Sequence, residues 1–259
     1  MNGDFPAYYS GLAPFRALFE EGNPILTYHK LGPRPSRTRL KGMYLGERLF
    51  ARQLGELRQV GFQNGPLLAC AEPASGRRIV LTFDDAYVNV LRFGLTPLSN
   101  NGFKAIQFVV AERVGKHNDW DVAFGEAREP LMDKAQLGEW LAAGHDIGSH
   151  TLTHPYLTRV SLAEAREEIV ASRKRLEDIF GRRIEHFCYP YGDWNEPIRD
   201  LVVEAGYKTA CTTQSGINRA GDSLFTLKRF TARYPSRSLR GIWSRLVGPR
   251  SNKQSRTES

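Results

Sequence analysis

Short apolar runs alternate with helical patterns along most of this 259-residue chain, and this alternation limits the folds it can adopt. A run such as Ile79 to Phe83, bounded by turn residues, predicts a buried strand. Repeated strand–helix units require parallel strand pairing with the helices outside. The sequence therefore predicts an α/β fold whose strands close toward a barrel, with the loops after the strands on one face. The predicted strands are 24–28, 79–83, 105–110, 146–149, 184–189, 207–212 and 224–230, and the predicted helices are 47–60, 88–98, 134–143, 161–180 and 197–205.

Several predicted helices have recognisable ends. Ser161 with Glu164 three residues later forms the pattern of a capping box, which predicts a helix start. Asp133 is a suitable N-cap for the helix that follows it. Gly94 and Pro97 weaken the helical prediction for 88–98, because proline removes a backbone donor.

Length and composition fit a single globular domain with extensions. The chain is 41% hydrophobic and 25% charged, which is ordinary for such a protein. We expect an N-terminal extension over 1–23, the main domain over 24–235, and a basic C-terminal helix with a disordered tail over 236–259. There is no run of about 20 apolar residues that could span a bilayer.

The cysteines and the start of the chain bear on the compartment. Cys70, Cys188 and Cys211 are an odd, widely spaced set, which indicates reduced thiols. The first residues have no basic start and no apolar segment of the kind that secretory signals carry. These features predict a cytoplasmic protein. The net charge of +8 is spread through the chain without a nucleic-acid-binding motif, so no nucleic-acid partner is expected.

Two acids and two histidines form a candidate metal site. Asp84 and Asp85 end a predicted strand and point to opposite sides if strand geometry persists. His150 and His154 follow the predicted strand 146–149 and face the same way if this segment makes one helical turn. One Asp with two neutral imidazoles can bind a divalent metal and leave a position for water, and the spare carboxylate is the natural general base. Nearby Ser and Thr hydroxyls would hold the second ring nitrogens. The alternatives are solvated acids at a strand end and hydrogen-bonded core histidines.

Three segments resemble motifs of the polysaccharide deacetylase family, the NodB-homology carbohydrate esterases of family 4. Residues 82–86, Thr-Phe-Asp-Asp-Ala, resemble the family's Thr-Phe-Asp-Asp-Gly. Residues 150–154, His-Thr-Leu-Thr-His, resemble its second motif, and 188–191, Cys-Tyr-Pro-Tyr, resemble its third, Arg-x-Pro-Tyr. The resemblance extends from about Pro24 to Phe230.

The resemblance implies a distorted (β/α)7 barrel and assigns roles to matching residues. Asp84 would be the catalytic base, and Asp85, His150 and His154 would be the metal ligands. The backbone N–H of Tyr191 would donate to the oxyanion. Two histidines and an aspartate suit zinc best, although cobalt, nickel and iron fit the same donor set.

The chain departs from the family pattern at two places. Cys188 stands where the third motif has the arginine that steadies the catalytic aspartate. The family's late Leu-x-His, which supplies the general acid, has no counterpart. A permuted subgroup, which includes exopolysaccharide deacetylases, has its acid histidine early and lacks that arginine. His29, which follows the first predicted strand, is therefore the expected general acid; the alternative is a loop histidine in a slow or inactive enzyme.

These assignments predict a metal-dependent enzyme that removes the N-acetyl group of an amino sugar in a polysaccharide or lipid-linked glycan. The alternatives are deformylation or O-deacetylation of a lipid-linked sugar, and a glycan-binding module that has lost catalysis. Residues 237–250 combine apolar residues at helical spacing with arginines. This pattern is typical of a helix that contacts an anionic membrane and equally of a terminal helix packed on the barrel.

Overall fold

The computed structural model describes residues 6–36, 38–122 and 124–234. The strands are β1 (Ile25–Tyr28), β2 (Lys30–Leu31), β3 (Tyr44–Leu45), β4 (Gln63–Asn64), β5 (Arg78–Asp84), β6 (Ile106–Val109), β7 (Asp146–Ser149), β8 (His186–Cys188), β9 (Thr209–Cys211) and β10 (Phe230–Thr231). The helices are α1 (Arg16–Glu20), α2 (Glu47–Val60), α3 (Val88–Asn101), α4 (Asp119–Val122), α5 (Lys134–Ala142), α6 (Leu162–Phe180) and α7 (Glu196–Glu204).

Seven strands form a curled parallel half-barrel, which confirms the predicted fold class. Their order is β10-β1-β5-β6-β7-β8-β9, and every neighbouring pair is parallel. Cys211 in β9 also bridges to Leu227, so the chain leading into β10 approaches the opposite edge of the sheet. Because all strands run the same way, their C-terminal ends and the loops after them share one face.

Most predicted helices agree with the structure. Helix α2 has the predicted bounds, and it ends at Gly61, whose φ of 90° lies in the left-handed region that glycine tolerates. Helix α6 begins with the expected capping box. Helix α3 continues past the predicted end to Asn101, with Pro97 inside it. Gly94 allows this helix to pack closely, since a Cβ there would lie 3.1 Å from Leu31 Cδ1.

The last three barrel strands are shorter than predicted. The apolar runs 184–189, 207–212 and 224–230 contribute three, three and one residue to β8, β9 and β10. Backbone groups at 224 and 227 instead bind Ala210 in an irregular connection. An apolar run indicates burial, but it does not by itself specify regular strand pairing.

The described part of the expected N-terminal extension packs on the main core. Tyr9 N donates to Thr231 O at 2.9 Å, beside the last strand. Phe15 and Phe19 are buried, and their rings lie 5.4 and 5.3 Å from the Phe230 ring. Helix α1 was not predicted, because its five residues offer too short a pattern. None of the helices in the described ranges has the length and apolar character needed to cross a bilayer.

Candidate metal and catalytic site

The C-terminal ends of three barrel strands, β1, β5 and β7, bring the predicted site residues together. His29 follows β1, and Asp85 follows Asp84 at the end of β5. His150 follows β7, at the same face of the sheet. The side chains of Asp84, Asp85, His150 and His154 are all buried, so they meet in a space that is largely shielded from solvent.

Asp85, His150 and His154 form a compact set of potential metal ligands. Asp85 Oδ1 lies 3.6 Å from His150 Nε2 and 3.4 Å from His154 Nε2. Although this oxygen is buried, it accepts no hydrogen bond within the described residues. Such an unsatisfied carboxylate oxygen facing two imidazole nitrogens is costly without a cation. The three side chains therefore fit a divalent metal ion.

The protonation states also suit metal binding. Burial, reinforced by the nearby His154, lowers the pKa of His150 to about 4, so its imidazole is neutral at neutral pH. Burial alone would raise the pKa of Asp85, but the adjacent His154 and His150 hold it below its ordinary value. His150 Nδ1 lies 2.7 Å from Cys188 O, a hydrogen bond that leaves Nε2 free of its proton and directed at Asp85.

The backbone around the ligands differs from the expected geometry. The helical turn expected between His150 and His154 does not form, because Thr151 and His154 have φ angles of 65° and 74°. The strand also ends before Asp85, whose φ is 75°. Left-handed backbone at such residues costs free energy and persists where surrounding contacts enforce it. The predicted ring-to-hydroxyl hydrogen bonds are wrong as well, since a backbone carbonyl binds His150 and His154 Nδ1 has no partner among the described residues.

Glu168 on α6 holds the loop between the two histidines. Its carboxylate accepts hydrogen bonds from the backbone N–H groups of Leu152 and Thr153, both at 2.8 Å, and from the Thr153 hydroxyl at 2.5 Å. Three hydrogen bonds to one charged acceptor are a strong local constraint. This contact explains how the strained turn keeps both imidazoles directed at Asp85.

Asp84, at the end of β5, is bound by Arg229, which directly precedes β10, two strands away in the sheet. Arg229 Nη1 and Nη2 donate to Asp84 Oδ1 and Oδ2, each at 2.8 Å. The same guanidinium donates to Thr212 O, Thr82 Oγ1 and Cys188 Sγ, so its donors are all engaged. Burial would raise the pKa of Asp84, but Arg229 outweighs burial and lowers it, which keeps the carboxylate ionised.

Asp84, His150 and Cys188 are also close enough to hold an ion. Arg229 already occupies both Asp84 oxygens, and burial raises the pKa of the Cys188 thiol well above its ordinary value. A protonated thiol is a poor metal ligand. The set that includes Asp85 is therefore the better metal site.

His29 lies beside Asp84 at the open side of the site. Its Nε2 is 3.7 Å from Asp84 Oδ2, and its side chain is 21% exposed, whereas that of Asp84 is 3% exposed. A partly exposed imidazole at this position can reach both the buried carboxylate and an incoming substrate.

The comparison with known proteins agrees with these motifs. The sequence model of the family described as polysaccharide deacetylase matches residues 71–210, more than half of the chain. The chain belongs to the polysaccharide deacetylase family. The matched region contains Asp84, Asp85, His150, His154 and Tyr191, whereas His29 and Arg229 lie outside it.

Two members of the polysaccharide deacetylase family illustrate the extent of similarity. YxkH of Bacillus subtilis (strain 168) is 24% identical over 213 residues, which are 80% of this chain and 70% of that protein. The peptidoglycan-N-acetylglucosamine deacetylase PgdA of Listeria monocytogenes serotype 1/2a (strain 10403S) is 30% identical over 129 residues, 49% of this chain. That match spans only 24% of the Listeria enzyme.

Solved structures share the deacetylase fold. The Streptococcus pyogenes deacetylase PplD, solved in complex with acetate, matches this chain with a TM-score of 0.70 at 23% identity. The match covers 87% of this chain and 98% of PplD. Similarity at this identity shows a common fold.

Aromatic rings flank the candidate site. The indole of Trp120 stacks on the His154 ring at 4.5 Å, and the Tyr191 ring meets the other side of His154 edge-on at 4.6 Å. The rings of Tyr156 and Tyr191 stack at 3.9 Å. Tyr191 has a φ of 60°, and a Cβ at Gly192 would collide with Thr213 Oγ1, so this turn requires glycine.

Sequence reasoning missed Arg229, the arginine that binds Asp84. Cys188 stands where the third motif has its arginine, and the arginine that takes its place lies far along the chain, in the run 224–230. Leu227 and Arg229 are two positions apart, so alternation along an extended segment places both toward the barrel interior. This alternation in the sequence could have indicated that Arg229 lies inside the barrel.

Proposed function

We propose that this polysaccharide deacetylase family member is a metal-dependent N-deacetylase that acts on an amino sugar in a polysaccharide or lipid-linked glycan. The observation that carries the proposal is the unsatisfied Asp85 Oδ1 facing His150 and His154, one residue from an ionised Asp84. The name of the Listeria relative, a peptidoglycan-N-acetylglucosamine deacetylase, supports an N-acetylated sugar as the substrate class.

Asp85, His150 and His154 would hold the metal ion, with zinc the best match to their donor atoms. Such an ion, when bound, supplies Lewis acidity and lowers the pKa of a coordinated water. The protein keeps His150 neutral and Asp85 ionised, so neither side chain must lose a proton before it can bind.

Asp84 would act as the general base. Its carboxylate is ionised and held by Arg229, so it can accept the proton of the attacking water without changing its orientation. The new C–O bond forms at the acetamide carbonyl, and the backbone N–H of Tyr191 would donate to the oxyanion that develops there.

His29 would complete the reaction as the general acid. Protonated His29 donates through Nε2 to the amide nitrogen as the C–N bond breaks, and the products are acetate and an amino sugar. Its partial exposure beside Asp84 supports this role. The alternative of a non-catalytic glycan-binding module assumed that the chain lacks an arginine to hold Asp84 and a histidine to act as acid. Arg229 and His29 lie beside Asp84 and so weaken this alternative.

The test is acetate release from a panel of N-acetylated and O-acetylated oligosaccharides and lipid-linked sugars by the metal-loaded protein, with formate release measured on formylated analogues. Asp84→Asn should abolish turnover and retain metal, whereas His150→Ala should remove both. Metal content measured by atomic emission separates the two effects. Full activity of Asp84→Asn on an acetylated sugar would contradict the assignment of the base.

Three further expectations stay predictions. The three cysteines are free and buried, in keeping with a reducing compartment such as the cytoplasm. The absence of a nucleic-acid partner rests on the charge distribution of the sequence. The proposed contact of 237–250 with an anionic membrane lies outside the described residues.

A further inference from the structure

Two loops at the mouth of the site present an exposed apolar surface. Leu40 is 46% exposed, Val122 is 41% exposed and Phe124 is 56% exposed. The loops touch directly, because Arg39 Nη1 donates to Phe124 O at 3.1 Å and Leu40 N donates to the Glu126 carboxylate. We call Leu40, Val122 and Phe124 the apolar lip.

Basic residues without acidic partners surround the apolar lip. Arg34, Arg39 and Lys41 are exposed, and none of them forms an ion pair within residues 6–36, 38–122 and 124–234. The segment 33–43 contains no acidic residue in the sequence. The lip therefore combines apolar side chains with uncompensated positive charge.

In the part of the chain that the structure describes, the nearby acidic groups form no ion pair with Arg34, Arg39 or Lys41. Asp121 and Glu126 are buried. Glu129 accepts a hydrogen bond from the Tyr44 hydroxyl at 2.7 Å. Asp119 pairs with two other arginines, each at 3.0 Å.

A buried contact holds the loop that carries Phe124 against β2. The side chains of Lys30 and Glu126 are both 0% exposed, with 4.0 Å between Nζ and Oε2. The ammonium of Lys30 also lies 4.5 Å from the Tyr87 ring centroid and 4.9 Å from that of Tyr44. The lip is thus a preformed feature, because Lys30 in β2 contacts Glu126, which also accepts from Leu40 N.

The apolar lip is connected to the metal site by one short helix. Val122 of the lip and Trp120 both belong to α4, and Trp120 stacks on His154. The end of the described chain contacts the start of α2, since Gly46 N donates to the Tyr234 hydroxyl at 2.6 Å. A surface that docks on the lip would lie next to the entrance of the site.

We propose that the apolar lip and its basic rim dock on an anionic lipid bilayer. Exposed aliphatic and aromatic side chains flanked by arginine and lysine match the interfacial region of such a bilayer. A soluble anionic glycan would engage the basic rim but would leave the apolar side chains in water. If the proposed function holds, docking would place the enzyme on a glycan carried at the membrane surface. This consequence rests on the proposed function.

The test is vesicle flotation with the purified full chain. One set of vesicles contains phosphatidylcholine with phosphatidylglycerol, and the other contains phosphatidylcholine alone. We expect binding to the anionic vesicles and an about tenfold lower bound fraction for the double variant Leu40→Ser/Phe124→Ser. The variant Arg34→Gln/Lys41→Gln should lose the preference for anionic lipid.

Matched controls separate the lip from general effects. Leu162 and Val203, which are 56% and 44% exposed on α6 and α7, give a control variant, Leu162→Ser/Val203→Ser, that should bind like the unmodified chain. Leu40→Trp enlarges the lip and should raise the bound fraction, which tests the proposal independently of any loss of folding. Circular dichroism verifies that each variant is folded.

Three results would overturn the proposal: no binding to anionic vesicles, equal binding to both vesicle types, or unchanged binding of the folded Leu40→Ser/Phe124→Ser variant. The last result would assign membrane contact to another part of the chain. Acetate release from a water-soluble N-acetylated oligosaccharide is measured in parallel. If the protein is active but does not bind vesicles, the proposed function stands and membrane docking by the lip is rejected. If it binds vesicles but releases acetate from no acetylated sugar, docking stands and the proposed function is rejected.

Discussion

Arg229 and Asp84 form a two-point ion pair inside the barrel, with both N–O distances at 2.8 Å. Arg229 is 0% exposed and Asp84 is 2% exposed, so neither charge can be satisfied by water if the other is removed. This pair replaces the arginine that the third motif lacks at Cys188, and it fixes the carboxylate next to the proposed metal ligands.

Removal of Arg229 should impair both folding and activity. Arg229→Met leaves a buried, unpaired carboxylate, which costs about 3–5 kcal/mol of unfolding free energy. Arg229→Lys keeps the charge but loses the two-point contact, so we expect greater stability than in Arg229→Met but reduced kcat. Urea denaturation and acetate release measure the two effects.

The control is Arg166→Met, at an exposed ion pair with Glu204, and this substitution should cost at most about 1 kcal/mol of unfolding free energy. Equal stability of Arg229→Met and this control would contradict the role given to the pair.

Glu168 should control metal affinity without touching the metal. Glu168→Gln weakens the three hydrogen bonds that hold the loop between His150 and His154. We expect a metal dissociation constant about tenfold to a hundredfold higher, as for other residues that orient ligands. Competition with a fluorescent chelator measures this constant. Glu167→Gln, its exposed neighbour on α6, is the matched control and should leave the affinity unchanged. A Glu168→Gln protein that binds metal as tightly as the control would show that the loop keeps its shape without this contact.

His29 should matter most for substrates with a poor leaving group. His29→Ala should lower acetate release from an acetylated amino sugar by about 10² to 10⁴, because the departing amine is no longer protonated. An aryl acetate releases a phenolate that needs little protonation, so its hydrolysis should be much less affected. Metal content should not change, since His29 lies beside Asp84 rather than among the ligands. An equal loss of hydrolysis rate on both substrates would show that His29 is not the general acid.

His145 should make the protein less stable as pH falls from about 6.5 to 4. Burial lowers its pKa from 6.5 to about 4, with Lys104 contributing. Between these pH values the unfolded chain binds a proton at His145, whereas the folded protein does not. The contribution of His145 to the free energy of unfolding is therefore complete above pH 6.5 and is lost as the pH falls from 6.5 to 4. At about 1.4 kcal/mol per pH unit, the loss from one histidine is on the order of 2 to 3 kcal/mol.

The matched variant for this prediction is His145→Asn. Asparagine does not titrate, and its side-chain oxygen can replace Nδ1, which accepts from Ala105 N at 3.2 Å. Chemical denaturation at several pH values should give a flatter dependence for the variant between pH 6.5 and 4. Parallel curves for the two proteins would mean that His145 does not contribute.

Elements with local signals were predictable from the sequence. Helix α2 has the predicted bounds because an amphipathic pattern and a terminal Gly61 act within a few residues of each other. The capping box of α6 involves only Ser161 and Glu164. The interior strand β5 was recognisable because it is buried over nearly its whole length.

Contacts between distant positions were not predictable in the same way. Arg229 and Asp84 are 145 positions apart, and only the curvature of the sheet brings their side chains together. The pairing of β2 with β3 involves two residues on each side, too few to produce a pattern. The left-handed turns at Thr151 and His154 depend on Glu168, which belongs to another element.

The sequence alone determined the alternating α/β architecture and the chemical types of the site, because strand burial, helix periodicity and the Asp-Asp and His-x-x-x-His spacings are local properties. The tertiary structure decided which arginine binds Asp84, which backbone turns direct the imidazoles at Asp85, and which apolar side chains remain exposed at the mouth. These outcomes depend on through-space distances of a few ångströms between residues far apart in the chain, and such distances exist only after the sheet has curled.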